Sequence, residues 1–161
     1  MRETNAVQNR MKEAMSRLAG GVSIVTAAVN NSRMAMVATS VSSLCLDPPA
    51  LLICVNRNAS IFAALTTHAQ FCVNILSGHH EQLAQRCAAA PSGADRFAEG
   101  NWLAHVNGVP YLADAQASIF CMVDGALDYG SHGIFVGRVS DLHVDRRASS
   151  LVYFDRRYVR L

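Results

Sequence analysis

The stretch VATSVSSLCLDPPALLICVNRNAS, residues 37–60, decides how this chain folds. It enters from an apolar run that starts at Met34, crosses small and hydroxylated positions, halts at Asp47-Pro48-Pro49 and resumes as ALLICV at 50–55. Successive side chains of a strand alternate in direction, so Met34, Met36, Ala38 and Ser40 would share one face, with Val37, Thr39 and Val41 on the other. Proline has no amide to donate, so the double proline breaks the ladder. Residues 50–55 show little alternation, the pattern of a strand covered on both faces. Ser60 is placed to cap a short helix over 61–67.

Upstream, residues 5–19 carry Val7, Met11, Ala14, Met15 and Leu18 on one helical face, and Gly20-Gly21 would end that helix. VSIVTAAV at 22–29 reads as a strand joined through Asn30, Asn31 and Ser32 to the run from Met34, a hairpin. Downstream, 70–76 reads as strand and 79–89 as helix. Residues 91–108, with Pro91, Gly93, Gly100 and Gly108, read as a long surface loop. Strands follow at 117–124, 133–144 and 150–154. Six or seven strands with two or three helices, not regularly alternated, argue against a doubly wound parallel sheet. They predict a mainly β fold with peripheral helices, a closed or partly closed antiparallel barrel. One domain over residues 1–161 is expected.

Apolar residues make up 51% of the 161 positions and charged residues 16%, which excludes a disordered composition. A net charge of +2 is too small to point to nucleic acid or a membrane surface. Five cysteines form no C-x-x-C pair, so a disulfide framework or zinc site is not indicated and a reducing, cytoplasmic setting is expected. Residues 1–20 show no secretory h-region and no run reaches the length of a membrane span.

The chemistry-bearing positions cluster around the opening stretch. Thr39, Ser40, Val41, Ser42 and Ser43 offer hydroxyl and amide donors without bulk, which suits a flat heteroaromatic ligand as well as a solvated strand edge. Cys54, Val55, Asn56, Arg57 and Ser60 lead from a buried strand into a helix start, where amides favour an anion, or where Ser60 serves the helix alone. None of the six histidines, His68, His79, His80, His105, His132 and His143, shows metal spacing with a carboxylate or cysteine; His79-His80 reads as a solvated helix start, and His132 stands apart in Gly130-Ser131-His132-Gly133, open to a ligand or simply exposed. No G-x-G-x-x-G, P-loop or G-x-S-x-G motif occurs.

Taken together, GGVSIVTA at 20–27, the stretch 37–60, FCVNILS at 71–77, GSHGIFVGRV at 130–139 and LVYFDRRY at 151–158 resemble the short-chain flavin reductase family, over nearly the whole chain. That family includes the reductase components of 4-hydroxyphenylacetate and phenol monooxygenases. The resemblance implies an FMN-binding split barrel, a homodimer, and hydride transfer from NADH or NADPH to FMN or FAD. Reduced flavin would then diffuse to a flavin-dependent oxygenase. It implies flavin along Thr39–Ser43, with its phosphate near Asn56 and Ser60 and Arg86 flanking, and nicotinamide near His132, Tyr153, Arg156 and Tyr158. Two departures stand out: Ala35 and Val37 where the family usually has glycine and threonine, and Ser131-His132-Gly133 where it often has Asp-His-Thr. A non-catalytic flavin-binding module and a split-barrel oxidase of the pyridoxamine phosphate type remain the alternatives.

Overall fold

The computed structural model describes residues 2–67, 70–90 and 93–161; His68 and Pro91 lie outside them. Its frame is one seven-stranded sheet in the order β3-β2-β6-β9-β10-β5-β4, every pair antiparallel. The strands are β2 (Ser23–Val29), β3 (Ser32–Ala38), β4 (Val41–Leu46), β5 (Pro49–Asn56), β6 (Gln70–Ile75), β9 (Ala117–Tyr129) and β10 (His132–Val144). The β2–β3 hairpin turns through Asn30 and Asn31, both at positive φ, the conformation of a tight hairpin turn.

The two edge strands, β3 and β4, are consecutive in sequence and joined by Thr39 and Ser40 alone. Laid flat, seven strands about 4.8 Å apart would separate those edges by roughly 29 Å. Three residue steps span at most about 10 Å. The sheet therefore curls until its edges meet, and Thr39-Ser40 bridges the gap. The Cys54 amide donates to the Ser40 carbonyl at 3.1 Å, fastening the bridge to β5. The expected single strand through Met34 and Val41 is thus broken: the chain leaves one edge at Ala38 and enters the other at Val41. The prolines do not end the ladder either, because Leu46 pairs with Pro49 across a two-residue turn.

The remaining elements dress this barrel. Helix α1 (Arg2–Ser16) stops earlier than expected. Gly20-Gly21 is not its cap but a short strand, β1, paired with Tyr153 and Val152 of β11 (Leu151–Phe154). The closeness of Gly20 to Thr39 suits a residue without a side chain, since an added Cβ would sit 3.3 Å from Thr39 Cβ. β11 continues into β12 (Arg157–Arg160), a strand beyond the expected set. Helix α2 (Phe62–Thr66) is capped by Ile61 without a side-chain bond, so Ser60 is not its cap. A 3-10 turn (Gly78–His80) leads into α3 (Glu81–Ala89). The described part of the expected loop holds a 3-10 turn (Asp95–Phe97) and a hairpin of β7 (Trp102–Ala104) and β8 (Pro110–Leu112). Three-residue strands are too short to show a period, which is why the sequence reads as loop there.

The core has two main parts. Val25, Ile53, Val55, Phe71, Val73 and Phe135 fill the barrel. Ile24, Leu76, Leu83, Ala84, Leu112 and Leu151 pack outside it, under α3. Ile24 and Val25 are neighbours pointing into different clusters, so β2 is apolar on both faces and shows no alternation. Buried Asn74 ties the layers: its Nδ2 donates to the Ile24 carbonyl at 2.9 Å and its Oδ1 accepts from the Leu112 amide at 2.8 Å.

Candidate flavin and nicotinamide site

Two hollows adjoin the bridge between the barrel edges. The first, about 380 Å³, is walled by Met36 and Val37 of β3, Asn58 and Ser60 after β5, Cys87 of α3, and Arg96. The second, about 490 Å³, is walled by Thr39, Ser40, Tyr153 and Arg156, with Lys12 and Met15 of α1. One segment thus lines both, through Met36 and Val37 on one side of Ala38 and Thr39 and Ser40 on the other. That follows from the broken barrel seam, where backbone and small side chains face a ligand instead of a neighbouring strand. β4 is paired on its β5 side only, so alternate amides of Val41, Ser42 and Ser43 point away from the ladder.

The first hollow suits a phosphate. Arg96 donates to the Ala35 carbonyl and, at 3.4 Å, to the Ala90 carbonyl, which fixes its guanidinium. Its Nε is buried without a partner. A held cation with an orphaned donor, beside the Ser60 and Asn58 side chains, is the arrangement an anion completes. Asn56 shapes the approach, its Oδ1 accepting from the Asn58 amide at 2.9 Å. Cys87, in the same wall, is pushed up to about 11 by burial, so it stays a protonated thiol at neutral pH and is no nucleophile.

The second hollow offers an aromatic surface and a cation. Tyr153 stands edge-on to Tyr158, ring centroids 5.2 Å apart. Tyr158 is half-buried against the α3 cluster, and burial followed by Tyr153 raises its phenol, so it stays neutral. Arg156 sits at positive φ in the tight β11–β12 turn. The turn is anchored to α1 by the Asp155 amide, which donates to the Ser16 carbonyl at 2.8 Å.

The other expected site residues fall in different places. Val55 is fully buried in the barrel and can offer a ligand backbone only. Arg57 pairs with Asp128 at 2.8 Å, and its amide donates to the Ser131 carbonyl at 2.9 Å, which joins the 56–60 turn to the His132 turn. His132 is exposed, its Nδ1 2.9 Å from Ser131 Oγ, and lies outside the walls of both hollows. Arg86 lies outside the walls of both hollows and is held in an ion pair with Glu99. The cation of the first hollow is Arg96, which sequence reading missed. Nothing local marks it, because the carbonyls that hold it come from β3 and the end of α3.

A seam-split antiparallel barrel with an anion hollow beside an aromatic one is the framework of a protein that binds nucleotide-like cofactors. Residues 15–161 match the flavin reductase like domain, and the chain belongs to that family. It is 36% identical over 159 residues to the FMN reductase (NADH) RutF of Agrobacterium fabrum, covering 97% of this chain and 91% of that one. Among solved structures it superposes on BorF, the flavin reductase component of a bacterial two-component tryptophan halogenase, with a TM-score of 0.87. Identity there is 30%, over 96% of this chain and 98% of that one. The NADH:FAD oxidoreductase of Streptomyces globisporus, solved with NAD and FAD fragments, gives a TM-score of 0.89 at 26% identity, over 96% and 92% of the two chains. These neighbours are split barrels, as the sequence resemblance implied.

Proposed function

We propose that this chain is an NADH- or NADPH-dependent flavin reductase that reduces FMN or FAD and releases the reduced flavin to a flavin-dependent oxygenase. The observation that carries the reading is the paired hollows at the Thr39-Ser40 seam, one with the orphaned Arg96 Nε and the other with Tyr153 and Arg156. When bound, the flavin supplies the electron acceptor: hydride from nicotinamide C4 and one solvent proton convert it to the reduced ring. Arg96, Asn58 and Ser60 hold the phosphate. The outward amides and hydroxyls from Thr39 to Ser43 face the ring edge, where fixed donors stabilise developing negative charge. His132 and Tyr153 orient the nicotinamide, and Arg156 neutralises its pyrophosphate. No side-chain nucleophile is needed. Both hollows open at the surface, consistent with a flavin that comes and goes.

The active form is a cytoplasmic homodimer. Support for the dimer comes from apolar surface left open on the single chain: Val7 and Met11 of α1, Leu18 just after it, Leu46 of β4 and Leu127 and Tyr129 of β9 are all exposed. Such patches mark interfaces. For the compartment, the free cysteines support a reducing setting, and among the described residues no helix is long and apolar enough to cross a membrane.

The test is to mix purified protein with NADH or NADPH and free FMN or FAD. Loss of nicotinamide absorbance in step with flavin reduction is expected. Flavin binding without nicotinamide oxidation would instead indicate a flavin-binding module, and turnover of pyridoxamine phosphate an oxidase.

A further inference from the structure

The 3-10 turn before α3 brings together a group of side chains that the flavin site does not use. His79 Nε2 and His80 Nε2 both approach one carboxylate oxygen, Asp114 Oδ2, at 3.4 and 3.3 Å. We propose that His79, His80 and Asp114 form a binding site for one divalent transition-metal ion of the zinc class, with water at the fourth position.

The distances are those of a metal site. Zinc binds imidazole nitrogen and carboxylate oxygen at about 2.0–2.1 Å, which makes the edge of a tetrahedron about 3.4 Å long. The three donor atoms all lie within 4.8 Å of one another. His80 is only 4% exposed, yet its Nε2 makes no hydrogen bond: the Asp114 oxygen is near but badly aligned. A buried, unpartnered nitrogen aimed at a carboxylate lacks what an ion between them would provide.

The outer contacts match as well. Ligating histidines usually donate their second ring N–H to an oxygen, which sets the tautomer. Ser77 Oγ lies 2.8 Å from His79 Nδ1 and 3.0 Å from His80 Nδ1, within hydrogen-bond reach of both rings, and a His79 ring that donates to it from Nδ1 leaves its Nε2 lone pair free. Without an ion, His80 Nδ1 accepts the Ser77 backbone N–H at 3.2 Å, which puts the ring proton on Nε2. On metal entry that proton moves through solvent to Nδ1, which gives up the Ser77 N–H bond and donates to Ser77 Oγ instead; the ring stays neutral. Burial, then His79, lowers the His80 imidazole, so it is neutral at pH 7. Burial acts to raise Asp114, but its contacts with His80 and His79 outweigh this and keep it anionic. Nitrogen-rich ligation with one carboxylate favours zinc, nickel or cobalt over magnesium or calcium. The ion would staple the start of α3 to the β8–β9 connection.

The experiment uses untagged full-length protein stripped with a chelator, then titrated with Co²⁺ followed optically and with Zn²⁺ followed by calorimetry. One equivalent per chain and the visible absorption of tetrahedral cobalt are expected. His79→Ala and Asp114→Asn, both at partly exposed positions, should each weaken Zn²⁺ binding by at least about 10-fold while circular dichroism stays unchanged. Asp141→Asn is the control, because Asp141 lies 3.1 Å from His105 Nε2 in a separate pair. It should leave the affinity intact. No saturable uptake at millimolar Zn²⁺, or binding lost in Asp141→Asn but kept in His79→Ala, overturns the proposal.

Discussion

His132 stands directly across the β5–β10 ladder from Asn56, so the turn expected to face the nicotinamide and the turn leading to the phosphate hollow are neighbours on one sheet. They are 76 positions apart in sequence, and the Arg57 amide bond to the Ser131 carbonyl locks them further. In the proposed site, the exposed His132 side chain at this junction positions one cofactor against the other. His132→Ala should lower kcat/KM for NADH by about 10–100-fold, about 1.4–2.7 kcal/mol of transition-state stabilisation, with little change in flavin affinity. Steady-state kinetics with NADH varied, beside a flavin titration, decide this; unchanged NADH kinetics would return His132 to the exposed-turn alternative.

In the proposed site, Arg96 separates phosphate recognition from ring recognition. Arg96→Ala should weaken FMN binding by at least about 10-fold, the loss of a charge-assisted contact. Riboflavin, which has no phosphate, should bind the variant and the parent alike. Because Arg96 also holds two carbonyls, riboflavin doubles as the control for folding. An equal loss for both ligands would show that Arg96 acts only on the fold.

Gly137 marks how tightly the barrel interior is filled. A Cβ there would collide with the Phe71 ring and lie 3.0 Å from Cys121 Cβ. Gly137→Ala should destabilise the protein by about 1–3 kcal/mol through overpacking. Urea unfolding reads this directly, and a stability equal to the parent would mean that β10 shifts freely.

Acid should weaken the fold in two stages. With the His80 imidazole depressed below its ordinary 6.5, the unfolded chain takes up a proton that the folded chain resists. Its contribution is complete above pH 6.5 and is lost as pH falls below it. Asp114, held below its ordinary 3.8, contributes above that pH and is lost as pH falls through its lowered value. Melting temperatures measured between about pH 7.5 and about pH 5.5 should fall, with a flatter slope in His80→Gln. The same slope in both would exclude His80 as the cause.

Leu46, 87% exposed on the edge strand β4, should be covered in the proposed dimer. Sedimentation should give twice the chain mass for the parent and a shift toward monomer for Leu46→Asp, where an interfacial carboxylate would be left without a partner. A parent that sediments as a monomer ends the dimer proposal.

The sequence by itself determined the strand-rich barrel class, the β2–β3 hairpin and the hydroxyl-rich stretch 39–43, because these follow from period, turn residues and side-chain chemistry within a few positions of one another. It also brought out Thr39, Ser40, Ser60, Tyr153 and Arg156, which the fold places in the walls of the two hollows. Tertiary structure alone decided the rest. It split the run from Met34 to Val41 into two opposite edges, since sheet closure is a property of seven strands together. It put Arg96 rather than Arg86 into the first hollow, because carbonyls from β3 and the end of α3 hold one guanidinium while Glu99 claims the other. It buried His80 beside Asp114, where the sequence suggests a solvated helix start, because the β8–β9 connection returns over α3 from more than thirty residues away. Local patterns record what each segment prefers; which distant segments supply its neighbours is settled only when the core closes.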